Sequence, residues 1–225
     1  MTAVHTEPHL RVLVVDDEAL IRSGLTMILG ASPEITAVTA CEGGAALDAV
    51  VELRPDVVLL DIRMPDVDGL TLLGRIRLLP DPPQVAMLTT FDTDEYVGEA
   101  LRLGAAGFLL KDTDPEVLVR SVRALATGAG CLSESVTRRV RTAPAADPPA
   151  HSTLAALAAL SARERQVLGC IGHGLSNAEI AARLHIGVAT VKDYVKAVLA
   201  KTGVANRVQA AVFADRAGLV DEIHR

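Results

Sequence analysis

The 225-residue chain predicts two joined folds: a doubly wound α/β unit with a five-stranded parallel sheet, then a small all-α unit of four helices. Three observations predict them. Short apolar runs alternate with helically spaced segments through the first 130 residues, the pattern of a parallel sheet wrapped by helices. Charge divides near the same place: residues 1–130 hold ten Lys and Arg against twenty Asp and Glu, a net of −10, whereas residues 131–225 hold twelve against eight, a net of +4. Between the halves, Thr142 to Thr153 carries three prolines among small and polar residues and reads as a linker that cannot bury enough surface to pack. The expected boundaries are 10–130 for the first unit, 131–158 for the linker and 159–225 for the second unit.

Each element of the first unit has its own justification. Leu10 to Val15 is an apolar run closed by Asp16-Asp17-Glu18, and Ala19 to Leu29 follows with helical spacing. Ile35 to Ala40 is a short strand, with a helix from about Gly44 to Leu53. Val57 to Leu60 is apolar without interruption, as a strand buried on both faces must be. It ends in Asp61, and the turn signals Met64-Pro65 and Asp68-Gly69 precede a helix from Gly69 to about Leu78. Gln84 to Thr89 and Gly107 to Leu110 are the fourth and fifth strands, separated by a helix from about Thr93 to Leu103. Pro115 opens the last helix, to about Thr127, at the first-turn position that proline tolerates. No Gly-x-Gly-x-x-Gly or Walker loop follows the first strand, which disfavours nucleotide binding.

If the five strands run parallel, their ends bring Asp16, Asp17, Asp61, Thr89 (or Thr90) and Lys111 to one edge of the sheet, where open α/β sheets place reactive groups. Three carboxylates with oxygen-only neighbours form a hard site suited to Mg²⁺. Lys111 supplies a fixed positive charge and Thr89 a hydroxyl donor for phosphoryl oxygens. The chemistry implied is attack of the Asp61 carboxylate on phosphorus. A single acidic residue at a strand end says only that loops are polar. Five suitable residue types at four strand ends say more.

Asp16-Asp17, Asp61 with Met64-Pro65 and Asp68-Gly69, Thr89, and Lys111 after Gly107-Phe108 resemble the receiver domain of two-component response regulators, a flavodoxin-like fold, over about residues 10–127. The resemblance implies phosphorylation of Asp61 and Mg²⁺ held by Asp17, Asp61 and the Arg63 backbone carbonyl, with Asp16 acting through water. It also implies that Thr89 moves to the phosphoryl group and Phe108 turns inward, with the face from Thr93 to Lys111 responding. Asp112 stands where many receivers have proline.

In the basic half, Ser161 and Glu164 form a capping box, and Val167, Leu168 and Ile171 give a helical stripe. Ser176 with Glu179 caps a second helix. His185-Ile186-Gly187 is a short turn before a third helix, Val188 to Thr202, and a fourth runs from about Arg207 to Arg216. Two short helices joined by a tight turn, the second bearing Lys192, Lys196 and Lys201, can form a helix-turn-helix. Periodicity alone fits a plain four-helix bundle equally well. The wording Leu160-Ser161-x-Arg163-Glu164, Gly174-Leu175-Ser176-Asn177-x-Glu179-Ile180-Ala181 and Thr190-Val191-Lys192 closely resembles the LuxR-type DNA-binding domain over about residues 160–220. Receiver plus this domain is the NarL/FixJ class. The resemblance implies that Lys192 and Lys196 face DNA, with Lys201 further along the same helix, that Ser176, Asn177 and Thr190 sit near phosphates, and that the last helix pairs subunits. Gly187 replaces a frequent Ser or Thr cap, and Asp193-Tyr194 replaces a frequent Thr-His pair. His173 and His185 read as loop and turn residues.

The function expected is a phosphorylation-controlled transcription regulator, not an enzyme, with a sensor histidine kinase and double-stranded DNA as partners and a homodimer as the active form. Two alternatives are a Mg²⁺-dependent aspartate-nucleophile phosphatase and a regulator that binds DNA without phosphorylation. The phosphatase fits worse, because Arg63 stands where its second aspartate belongs. No apolar run approaches the ~20 residues of a membrane span and Met1 to His9 lacks a signal-peptide pattern, so a cytoplasmic location is expected, with Cys41, Cys131 and Cys170 reduced.

Overall fold

The computed structural model describes residues 10–90, 94–132 and 155–220, with 94, 95, 131 and 132 described by their backbone alone. The proline-rich stretch Thr142 to Thr153 and the first nine residues lie outside them. The chain runs β1 (Leu10–Val15), α1 (Ala19–Gly30), β2 (Ile35–Cys41), a 3₁₀ turn (Gly43–Ala45), α2 (Ala46–Leu53), β3 (Val57–Asp61) and α3 (Gly69–Arg77). It continues through β4 (Gln84–Thr89), α4 (Asp94–Leu103), β5 (Gly107–Leu110), α5 (Pro115–Ala126) and β6 (Cys131–Leu132). Four helices follow: α6 (Ala162–Gly172), α7 (Asn177–Leu184), α8 (Val188–Thr202) and α9 (Arg207–Arg216).

All strands are parallel, in the order β2-β1-β3-β4-β5-β6. The five expected strands are present. The two residues of β6 extend the sheet beyond β5, in a stretch the sequence assigns to linker, because a two-residue strand is too short to carry periodicity. The order reverses between β1 and β3, so the crevice for a ligand opens at the carboxyl ends of those neighbours.

Alternation along each strand divides the core into two layers. Leu13, Val15, Val58, Leu60, Val85, Met87 and Phe108 pack with α2, α3 and α4 on one face. Val12, Val14, Val57, Leu59, Ala86, Leu88 and Leu109 pack with α1 and α5 on the other. Every residue of β3 is buried, and each such Val or Leu stabilises the fold by about 1.5–3 kcal/mol. The strand that carries Asp61 is therefore held rigidly from both sides.

The helical unit has a separate core built on Val167, Leu168, Ile171, Ile180, Val191, Val198 and Ala210. Both expected capping boxes form, Ser161 with Glu164 and Ser176 with Glu179, each with reciprocal bonds. The turn into α8 passes through His185 in the left-handed region, φ 54°, and α8 begins at Gly187 without a side-chain cap. No helix among the described residues is long and apolar enough to cross a membrane. The two units touch: Val208 at the start of α9 is buried in the core layer that contains α3 and α4.

Candidate phosphorylation site and nucleic-acid interface

The strand-end residues converge. One carboxylate oxygen each from Asp16, Asp17 and Asp61 lies within 4.8 Å of the others. Lys111 enters from the end of β5, its ammonium 2.9 Å from Asp16 Oδ2, 3.1 Å from Asp61 Oδ2 and 3.2 Å from Glu18 Oε1. Register fixes this meeting, because Asp61 pairs with Leu88 and the Lys111 N–H donates to the Thr89 carbonyl at 2.9 Å. Thr89 is buried at the end of β4, and Phe108 is fully buried in β5.

Electrostatics follow from the burial. Desolvation raises the Asp61 pKa, and although Lys111 pulls the other way, the neighbouring Asp16 adds to the rise. For Lys111, burial alone would depress the ammonium. Hydrogen bonds and charge from Asp16 and Asp61 outweigh it, and the net shift is upward. The lysine is therefore a fixed cation between two acids. An all-oxygen cluster in which burial holds the Asp61 carboxyl above its ordinary pKa is a site that a hard divalent cation would stabilise.

Several residues support the site from behind. Arg22, on the second turn of α1, donates to the carbonyls of Asp16 at 2.7 Å and Asp17 at 2.8 Å, and reaches Glu42 at 3.2 Å. It holds the backbone of the acidic pair from behind. Asp16 Oδ1 in turn accepts from the Glu18 N–H at 2.9 Å. Gly69 is required because α3 starts directly against Asp61: a Cβ there would lie 2.0 Å from the Asp61 carbonyl oxygen. Asp68 caps α3 through the Thr71 N–H, and Asp66 accepts from the Gly44 N–H at 2.6 Å, pinning the loop after β3 to the turn after β2. The Arg63 guanidinium lies 5.1 Å from the Tyr96 ring centroid on α4 and donates to its hydroxyl at 3.3 Å.

In the helical unit the expected residues divide. Thr190, Lys192 and Lys196 are exposed on α8, and Lys192 and Lys196 are four residues apart on one face. Asp193 is exposed beside them. Lys201 instead makes a two-point ion pair with Glu164, 2.8 Å to each oxygen, so its charge ties α8 to the cap of α6. Ser176 spends its hydroxyl on the Glu179 N–H. Asn177 is buried: its amide donates to the Thr127 carbonyl of the first unit at 3.0 Å and accepts from Arg207 at 2.8 Å. Nothing local to Asn177 signals that direction, since its partner lies fifty residues away.

Comparisons with known proteins agree with this geometry. Residues 12–123 match the response regulator receiver domain, and residues 158–214 match the bacterial regulatory proteins of the luxR family. The chain is 35% identical to the nitrate/nitrite response regulator protein NarL of Escherichia coli K12, over 90% of this chain and 93% of that protein. It is 34% identical to the DNA-binding transcriptional activator DevR/DosR of Mycobacterium tuberculosis, over 91% and 94%. The crystal structure of the response regulator ChrA of a heme-sensing two-component system, 34% identical, covers 95% of this chain and all of that one with a TM-score of 0.51. With an acidic site at the sheet edge and a lysine-bearing helix-turn-helix behind it, the chain belongs to the NarL-type response regulators, transcriptional regulators in which a receiver domain is joined to a LuxR-type DNA-binding domain.

Proposed function

We propose that Asp61 takes a phosphoryl group from a sensor histidine kinase and that the modification switches binding of the chain, as a homodimer, to double-stranded DNA in the cytoplasm. The observation that carries this reading is the triangle of Asp16, Asp61 and Lys111 at the edge of a sheet that shares its chain with a LuxR-type domain. An Asp61 carboxylate oxygen attacks phosphorus, forming an O–P bond as the P–N bond of phosphohistidine breaks. The electron pair leaves on the imidazole, which takes a proton from solvent. Lys111 neutralises charge on the phosphoryl oxygens, and the Thr89 hydroxyl donates to one of them. Asp17, Asp61 and the Arg63 carbonyl would hold Mg²⁺, with Asp16 acting through water. When bound, the ion offsets the negative charge gathering at the site.

On the DNA side, Lys192 and Lys196 approach the major groove and Thr190 lies near a phosphate. A dimer of this kind spans half-sites about one helical turn apart. The phosphatase reading gains no support from Arg63, whose side chain lies on Tyr96. The test is operator affinity at matched salt, with and without a small phosphodonor and Mg²⁺, for wild type and Asp61→Asn. Stimulation in wild type alone supports the reading. Equal affinity in all four samples would favour a regulator that binds DNA without phosphorylation.

A further inference from the structure

Asp193 and Tyr194 are neighbours on α8 but face different surroundings. Tyr194 is half-buried and packs against the core of the helical unit. Asp193 is exposed, as are Thr190, Lys192 and Lys196. At about 100° per residue, Asp193 falls midway between Thr190 and Lys196, roughly 60° from each, with Lys192 beyond Lys196. The residues four before and four after it are Ala189 and Ala197, so along that row nothing longer than a methyl group flanks its carboxylate. The acid is also unpaired. Lys201 is spent on Glu164, whereas Asp193, Lys192 and Lys196 form no ion pair among the described residues. Lys196 stands three residues on, a spacing at which opposite charges on a helix can meet, yet the two do not.

An acid in the middle of a cationic face restricts what that face can touch. Phosphate oxygens repel it, and an ionised carboxylate only accepts hydrogen bonds, so its partner on a duplex must be a donor. The major groove offers donors from two bases, the N4 amino group of cytosine and the N6 amino group of adenine. Adenine sets its N7 acceptor beside N6. Guanine shows acceptors at O6 and N7, and thymine shows the O4 acceptor and a methyl group. Cytosine alone offers a donor with no acceptor on its own edge. A short side chain with small neighbours suits the floor of the groove, whereas the longer lysines beside it reach guanine edges or the phosphate rim.

We infer that Asp193 is a specificity-determining residue whose carboxylate accepts from the N4 amino group of one cytosine in each DNA half-site. Thr190, Lys192 and Lys196 favour any duplex. Asp193 opposes that attraction except where a cytosine meets it, so its contribution is discrimination between sequences more than affinity. The inference rests on α8 entering the major groove, as proposed above. It does not depend on phosphorylation of Asp61.

The chemistry offers a variant that changes the base read. Asp193→Asn replaces the carboxylate by an amide of the same size that both donates and accepts, the pattern that fits adenine N6 and N7. Selection from a pool of random duplexes by the full chain, with Mg²⁺ and a small phosphodonor, measures the outcome for wild type, Asp193→Asn and Asp193→Ala. Wild type is expected to enrich half-sites with one position fixed as cytosine. Asp193→Asn should move that position to adenine and Asp193→Ala should leave it open, with the other positions unchanged. At matched salt, replacing the cytosine should weaken wild-type binding roughly ten- to a hundredfold and binding by Asp193→Ala hardly at all. Identical base preferences in all three proteins would overturn the inference while leaving α8 on the DNA. A wild type that enriches no sequence would overturn it together with the DNA arrangement proposed above. The same cytosine enriched with and without phosphodonor, and lost in Asp193→Ala, would uphold the inference and remove control by phosphorylation.

Discussion

At the scale of single residues, the site is a balance of charges that the fold holds away from water. Because the folded pKa of Asp61 lies above its unfolded value, its charged form opposes folding at pH above both values. The opposition fades as pH falls through and below the ordinary carboxylate range near ~4. Asp61→Asn should therefore raise the melting temperature of the metal-free protein at neutral pH. The difference from wild type should shrink as pH approaches ~4. A neutral variant that melts lower than wild type at pH 7 would contradict the charge balance. Arg22 acts on the same site through the backbone. Arg22→Gln should weaken Mg²⁺ binding, measured by calorimetry, by roughly tenfold, as loss of outer supports of metal ligands commonly does. Unchanged affinity would reduce Arg22 to a surface contact with Glu42.

Legibility at this scale was uneven, for a physical reason. Asp16, Asp61, Thr89 and Lys111 are readable because strand ends in a parallel sheet must lie together. Arg22 and Glu18 are not, because both reach back from a helix start onto the site and leave no spacing rule behind. Gly69 is visible as a turn signal and a motif position, although its physical role, the close approach of α3 to the Asp61 carbonyl, is not.

At the scale of elements, helix ends carry the information. The capping boxes at Ser161 and Ser176 stand as the sequence spells them. Gly187 is the exception, opening α8 without a side-chain acceptor. Gly187→Ser should stabilise the helical unit by a few tenths of a kcal/mol, the usual margin of serine over glycine at a cap, and chemical denaturation measures it. Lys192 and Lys201 separate the two uses of cations along α8. Lys192→Ala should lower the salt dependence of DNA binding by about one phosphate contact. Lys201→Met should leave that slope nearly unchanged and should cost stability, because it strands Glu164 at the cap of α6. An equal fall in slope for both variants would place Lys201 on the DNA. The sequence shows three lysines on one helix and cannot separate them, since Glu164 lies thirty-seven residues earlier and meets Lys201 only through the packing of α6 against α8.

At the scale of the whole molecule, an acidic unit and a basic unit share one chain, and the bonds between them join elements that no local pattern connects. Asn206 and Leu101 are 105 residues apart. A motif identifies each domain by itself, whereas the seam depends on which carbonyls stand at the ends of α4 and α5 and which side chains reach them. The central claim, that Asp61 is the chemical input to this assembly, is tested most directly by intact mass after incubation with Mg²⁺ and a small phosphodonor. Wild type should gain one phosphoryl group, lose it on hydroxylamine treatment as an acyl phosphate does, and Asp61→Asn should gain none. An unchanged wild-type mass with every donor, or an equal gain in the Asn variant, would contradict it.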